Sequence, residues 1–440
     1  LLKYEGGVKI TVTFLNSFLR IKEGLLDTIR YAKAKEAIKS TLNFNEKIRE
    51  VSSYLEPYVI QLRQKLHEIP ELGWEEEKTL ALIKREIAEA MALSECGYAI
   101  SMREAEGGVW VDVKVSSAYS TVLFRSDIDA LPIQEETGLS FASKHPGKMH
   151  ACGHDCHTAM LLGAFQAIMR GLIKPKANIR FVWQRAEEFS ENRSGGQRLV
   201  EEGVCKGVDV AYGLHISSLC EPGVFYSRPG VMMANASLLS FTIECTGGHV
   251  MRPHVGSNAI YIMTDIHNAL RGFEGIYFGP EEPIAFVPSI AHAGIAHNIR
   301  PNLAKMCFAL RNFLSAEERD AFIDKVHKKV QSIVETYPSA RLSHVEFLSG
   351  YPSLETDPDT YMFIKQGLED LEMETKRIDL MFSGEDFSFY LQKVPGSFWI
   401  LGAKQEEAWD HHTSKFNPDE AYLKDGLAFW LLLSQRIPPQ

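Results

Sequence analysis

The chain has 440 residues, 45% of them apolar and 24% charged, with a formal net charge of −10. That length exceeds one ordinary core and points to two domains, while the net negative charge argues against nucleic acid as main partner, because phosphate binding needs a basic surface. Seven scattered cysteines, an odd number, do not suggest a disulfide framework. No apolar run reaches membrane-spanning length and no signal-peptide pattern is found, so a cytoplasmic protein without membrane attachment is expected.

Residues 1–55 mix a β-branched patch (Ile10 to Phe14) with a charged, helical stretch (Phe18 to Glu50) and read as an N-terminal extension without chemistry of its own. Helical periodicity runs from Ser53 to Met91, interrupted around Pro70 and Gly73. Strands are predicted over Val109 to Val115 and Thr121 to Phe124, then a helix over Thr158 to Met169 and a strand over Ile179 to Trp183. Another helix and the strand Val208 to Leu214 follow. This alternation predicts an α/β fold with a central, mostly parallel sheet flanked by helices, which gathers reactive groups at strand carboxyl ends.

From about Ala234 the pattern changes to strand (Leu238 to Cys245), helix (Asn258 to Leu270), strand (Ala304 to Phe313), long amphipathic helix (Ala316 to Tyr337) and strand (Arg341 to Phe347). We therefore expect an inserted α+β domain over 234–349, with 56–233 and 350–440 forming the larger domain. The larger domain resumes with a strand over Ser397 to Leu401 and a helix from Asp419 to Leu433.

Chemistry concentrates where these strands end. Met149-His150-Ala151-Cys152-Gly153-His154-Asp155-Cys156-His157 opens a helix, Glu187-Glu188 follows a strand, His215 ends another, and His411-His412 lies beyond the last. Singly, each has an ordinary reading: a polar helix start with Asp155 as N-cap, or a solvated acidic turn. Together, thiolate, imidazole and carboxylate make a site for zinc, manganese, nickel or cobalt. Of two adjacent glutamates, one can bind metal while the other takes a proton from water.

The chain resembles the hippurate hydrolase and N-acyl-amino-acid amidohydrolase family of dinuclear metallopeptidases, which includes auxin-conjugate hydrolases. The resemblance rests on stretches at His67 to Gly73, Arg125 to Pro132, Met149 to Thr158, Gln184 to Glu188, Gly213 to His215, Gly247 to His254, Gly384 to Tyr390 and His412 to Glu420, in the family's order over roughly 55–440. It implies two divalent ions held by Cys152, His154, Glu188, His215 and His412, and Glu187 as general base acting on a metal-activated water. His412 is preferred to His411 because the family's ligand stands four residues before an aromatic, here Phe416. Asp127 and Asp129 are assigned to support of the ligands.

The insert is similar to the family's lid and dimerisation domain. Its His249 corresponds to a histidine that steadies the oxyanion in the neighbouring subunit's site, and Asn298 with Arg311 to a pair that holds the substrate carboxylate. Alone, Gly247-Gly248-His249 also reads as a polar turn, and Arg311 as a solvated strand-end residue. The implied activity is hydrolysis of N-acyl amino acids or related small amides by a homodimer or larger oligomer. The alternatives are an N-acetyl or N-succinyl deacylase of amino-acid biosynthesis, and a non-catalytic relative that binds acyl amino acids. Two departures stand out: Arg185 where the family usually has Pro, and Arg300 where an aliphatic is usual. Both extra cations are expected to affect the site's charge and its preference for anionic substrates.

Overall fold

Asn43 accepts from the backbone of Asn45 and Glu46, while the Glu46 side chain returns to the Asn43 N–H. This reciprocal cap satisfies donors that a helix start leaves open and launches α1 (Phe44–His67). The computed structural model describes residues 43–94, 96–188 and 193–436. The β-branched patch at Ile10 and the expected helical stretch up to residue 42 lie outside them. The expected extension to residue 55 is corrected at its end, because α1 buries Ile48, Val51 and Leu55 in the main core.

After α2 (Glu77–Ala92) come β1 (Ala99–Ala105), β2 (Gly108–Lys114) and β3 (Thr121–Asp127). Then follow α3 (His154–Met169), β4 (Asn178–Gln184), α4 (Gly195–Glu201), β5 (Val210–Ser217), β6 (Phe225–Ser227) and β7 (Gly230–Met233). Beyond the insert the chain forms β14 (Leu354–Thr356), α7 (Pro358–Asp370), β15 (Thr375–Arg377), α8 (Ser388–Leu391), β16 (Gly396–Gly402) and α9 (Leu423–Gln435).

Among the described residues, eight strands form one mixed sheet in the order β1-β2-β4-β3-β5-β16-β6-β15. The four neighbours β4, β3, β5 and β16 run parallel, so their carboxyl ends share one edge. Every residue of α3 is buried, as expected for a helix that is apolar on all sides. It packs with α1 and α9 against the sheet through Val59, Phe165, Phe181, Leu427 and Trp430. Trp430 lies 5.0 Å from the Phe124 ring.

The insert comprises β8 (Asn235–Glu244), β9 (Gly248–His249), α5 (Ala259–Leu270), β10 (Ile284–Ala293), β11 (Ile299–Arg300), β12 (Leu303–Asn312), α6 (Ala316–Val334) and β13 (Arg341–Ser349). Its antiparallel sheet has the order β10-β12-β8-β13. Phe322, Val326, Val330 and Val334, one per turn of α6, join Ile262 and Ile266 of α5 over Phe241, Ile243 and Phe308. The insert thus has its own hydrophobic core, separate from the larger sheet.

Candidate active site

The four parallel strands deliver the acids and histidines to a common edge. Asp127 ends β3, Glu187 and Glu188 follow β4, His215 lies near the end of β5, and His412 follows β16. Gly153 adopts φ 90° before α3, and a Cβ there would meet Ile216 Cγ2 at 2.5 Å. Only glycine accommodates both the left-handed backbone and that approach, which starts the helix with His154 turned toward β5. His412 also takes a left-handed conformation, at φ 60°, and its N–H donates to Ala151 O at 2.8 Å, tying its loop to the Cys152 segment.

Potential donor atoms of Cys152, His154 and His215 lie within 4.8 Å of one another. The same holds for Cys152, Glu188 and His412, and for His154, Glu187 and Glu188. The five residues named as ligands from sequence are therefore brought together, with Glu187 beside them. His411 turns elsewhere: its Nε2 lies 3.1 Å from Ile216 O, whereas His412 Nε2 lies 3.0 Å from Glu188 Oε1.

Hydrogen bonding fixes which imidazole nitrogens stay free. His215 Nδ1 donates to Ile216 O at 2.7 Å, because a carbonyl can only accept, leaving the Nε2 lone pair 3.5 Å from Cys152 Sγ. His154 Nδ1 lies 3.0 Å from Asp129 Oδ1, while its buried Nε2 has no hydrogen-bond partner among the described residues. An orphaned buried nitrogen is costly unless something binds it, and here it points among thiol, carboxylate and imidazole donors. Burial, followed by Glu188 and Glu187, pushes the Cys152 thiol well above its ordinary pKa. A thiolate at this position therefore needs a cation, and the donor set suits a divalent metal.

Asp129 supports the site directly. Its Oδ1 faces His154, and its Oδ2 accepts from Glu188 N at 2.9 Å. Asp127 works through a neighbour: Oδ1 lies 2.6 Å from His157 Nδ1 and Oδ2 accepts from Arg125 Nη1 at 2.8 Å. His157 Nε2 accepts from Ile216 N at 2.8 Å, so Nδ1 carries the proton and the ring anchors the end of β5 beside His215. Burial alone would lower His154, but Asp127 and Asp129 outweigh it and lift the imidazole to about 10. This site favours positive charge at that position.

Glu187 is buried and faces Glu385 and Asp386. Burial, Glu385 and Glu188 raise its carboxyl well above the usual range. Its Oε1 lies 3.4 Å from Asp386 N, and its backbone carbonyl accepts from the Tyr351 hydroxyl. Glu385, Asp386, Arg125 and His157 carry no role expected from the sequence, although each stands inside a quoted motif; Tyr351 carries no sequence signal. Asp155 is no N-cap: Gly153 occupies that position, and Asp155 Oδ2 faces Arg63 Nε at 2.9 Å and His67 Nδ1 at 2.8 Å.

Both unusual arginines are corrected. Arg185 turns from Glu187 and donates to Glu76 Oε2 at 2.8 Å, while Glu76 Oε1 accepts from Ala186 N at 2.8 Å. Arg300 is buried in the insert and donates to carbonyls including Gly247 O at 2.9 Å and Pro253 O at 3.4 Å. Their charges are used internally, so neither is a free anion-binding group.

His249 and Asn298 are exposed on the insert; β9 pairs with β11 through His249 and Ile299, which brings Asn298 beside that ribbon. His249 Nδ1 accepts from Met251 N at 3.2 Å. Arg311, half-buried on β12, has its pKa lowered by burial. Among the described residues, no hydrogen bond or ion pair joins His249, Asn298 or Arg311 to the ligand cluster.

A divalent-metal donor set at parallel strand ends, with a glutamate poised beside it, defines a metal-dependent hydrolase. The model of peptidase family M20/M25/M40 matches residues 123–436, and the chain belongs to that family. It is similar to thermostable carboxypeptidase 1 of Saccharolobus solfataricus, with 34% identity covering 89% of this chain and 98% of the relative. It is also similar to N-acetyl-L-cysteine deacetylase of Bacillus subtilis, with 32% identity covering 82% and 83% respectively. A solved structure, the Bacillus subtilis YxeP protein, a dinuclear metal-binding peptidase of the M20 family, superposes with a TM-score of 0.72. That match has 27% identity and covers 87% of this chain and 98% of the other. Among the described residues, no helix is long and apolar enough to cross a membrane.

Proposed function

We propose that the protein cleaves the amide bond of N-acyl amino acids and releases the free amino acid, with small acyl groups such as acetyl as the preferred class. The observation that carries this reading is the pairing of Glu188, within the ligand cluster, with the adjacent buried Glu187. Relatives named N-acetyl-L-cysteine deacetylase and N-acetyldiaminopimelate deacetylase favour acetyl over hippurate-type acyl groups.

In this reading Cys152, His154, Glu188, His215 and His412 hold two divalent ions. When bound, such ions supply Lewis acidity and lower the pKa of water. Glu187 takes the proton from water and passes it to the leaving nitrogen. Arg311 and Asn298 hold the substrate carboxylate, since a guanidinium offers two parallel charged hydrogen bonds. His249 donates to the oxyanion from a neighbouring subunit. The edge strand β10, unpaired on one side among the described residues and with Val287 and Ile290 exposed, supports a dimer, because an apolar sheet edge is a pairing surface.

The test is a panel of N-acetyl, N-succinyl and N-benzoyl amino acids beside the corresponding N-acetyl amino-acid amides. Release of free amino acid is expected to favour acetyl, and amidating the carboxylate to lower kcat/KM by about 10- to 100-fold through loss of a charged hydrogen bond. Equal turnover of acids and amides would contradict the carboxylate grip, and absence of hydrolysis across the panel would contradict the substrate class.

A further inference from the structure

The two sheets are joined by a pair of crossing segments. Ala236, entering the insert, donates its N–H to Tyr351 O at 2.9 Å, and Gly350, leaving it, donates to Ala236 O at 2.9 Å. Tyr351 is buried at this junction. Its hydroxyl reaches into the larger domain and donates to the backbone carbonyl of Glu187. A Cβ on Gly384 would lie 3.2 Å from Tyr351 Cδ2 and 3.4 Å from Ala236 Cβ, so the absence of a side chain there lets the ring reach over the Glu385-Asp386 turn. From the other side, Asp386 N faces Glu187 Oε1 at 3.4 Å.

We infer that Tyr351 is a positioning residue for the reaction: it ties the Glu187 backbone to the junction between insert and larger domain. The inference rests on the reading of Glu187 as general base. Arg311, proposed above to grip the substrate carboxylate, pairs with the same Ala236 across β12 and β8. One hydrogen-bonded ribbon therefore carries Arg311, Ala236 and Tyr351, and ends on the base. A shift of the insert that alters the ribbon moves the carbonyl of Glu187 with it. The hydroxyl also satisfies a buried carbonyl, which every buried polar group requires, so function must be separated from simple packing.

Tyr351→Phe keeps the ring and removes only the hydroxyl. It is compared with Glu187→Gln and the double variant, all metal-replete, on the best N-acyl amino acid of the panel above. The single Tyr351→Phe change is expected to lower kcat by about 10- to 100-fold with KM changed by less than about threefold, the signature of an interaction felt in the transition state. In the Glu187→Gln background the same change is expected to do little, because the base it positions is already gone. Gly384→Ala, which crowds the Tyr351 ring, should lower kcat in the same direction. Unchanged kcat in Tyr351→Phe, equal proportional losses with and without Glu187, or a loss explained by a matching loss of metal or folded protein would each overturn the inference. If Glu187→Gln itself retains parental activity, the general-base reading fails, and Tyr351 positions nothing in this reaction.

Discussion

Arg125→Met removes a guanidinium that faces Asp127, Glu385 and Asp386 at 2.8, 3.1 and 2.6 Å while leaving a side chain of similar length. All four residues are buried. Burial lifts Glu385 to about 8, so it contributes little negative charge near neutrality. Burial would raise Asp127 too, but His154, His157 and Arg125 hold it well below the usual carboxylate range. Asp386, nearest the guanidinium, is raised by burial, which Arg125 opposes. The variant therefore leaves Asp386 without its cation and Asp127 with His154 and His157 alone, and breaking one side of such a buried pair costs about 3–5 kcal/mol. Without Arg125, the pKa of Asp386, already above its ordinary value through burial, rises further. The folded variant then binds a proton that the unfolded chain has released, so its stability relative to the parent recovers as pH falls toward the unfolded value. The assay is urea unfolding of metal-replete parent and variant at about pH 7.5 and pH 5.5, converting midpoint shifts with the measured slope. We expect a loss of about 3–5 kcal/mol at the higher pH and a smaller one at the lower. A loss below about 1 kcal/mol, or the same loss at both pH values, would refute this balance of buried charges.

Cys152→Ser and His412→Ala are each expected to reduce bound metal measured on purified protein, whereas His411→Ala does so much less because its ring serves Ile216 O; equal losses in the two histidine variants would reverse that assignment. Mixing Glu187→Gln with His249→Ala subunits under exchange should restore activity, since a mixed dimer holds one intact composite site. No recovery despite exchange shown by mass would remove His249 from the partner's site.

The sheet strands nearest the site were legible because each is a short apolar run ended by acids or histidines, as β3, β4 and β5 show. The start of α1 carried a readable signal, Asn43 followed three residues later by Glu46, inside a segment that otherwise looked like an extension. β10 is not legible in the sequence, because Pro288 interrupts it and six consecutive residues from Val287 to His292 face solvent, which erases the alternation of a half-buried strand. Ligand types could be named from their clustering, but the direction of a charged side chain could not. Arg185 finds Glu76 109 residues away, and Asp155 finds His67 88 residues away. Such partners are brought together by packing and leave no local spacing to read. Tyr351 is the extreme case, because its role depends on the crossing between two sheets.

The central claim is that metal is held by one set of residues and the proton moved by another. Metal content and turnover measured together on Glu187→Gln test it most directly. The account predicts parental metal per subunit with turnover on an N-acyl amino acid lowered by about 10²–10⁴-fold. Parental turnover, or loss of metal in step with loss of activity, would contradict it.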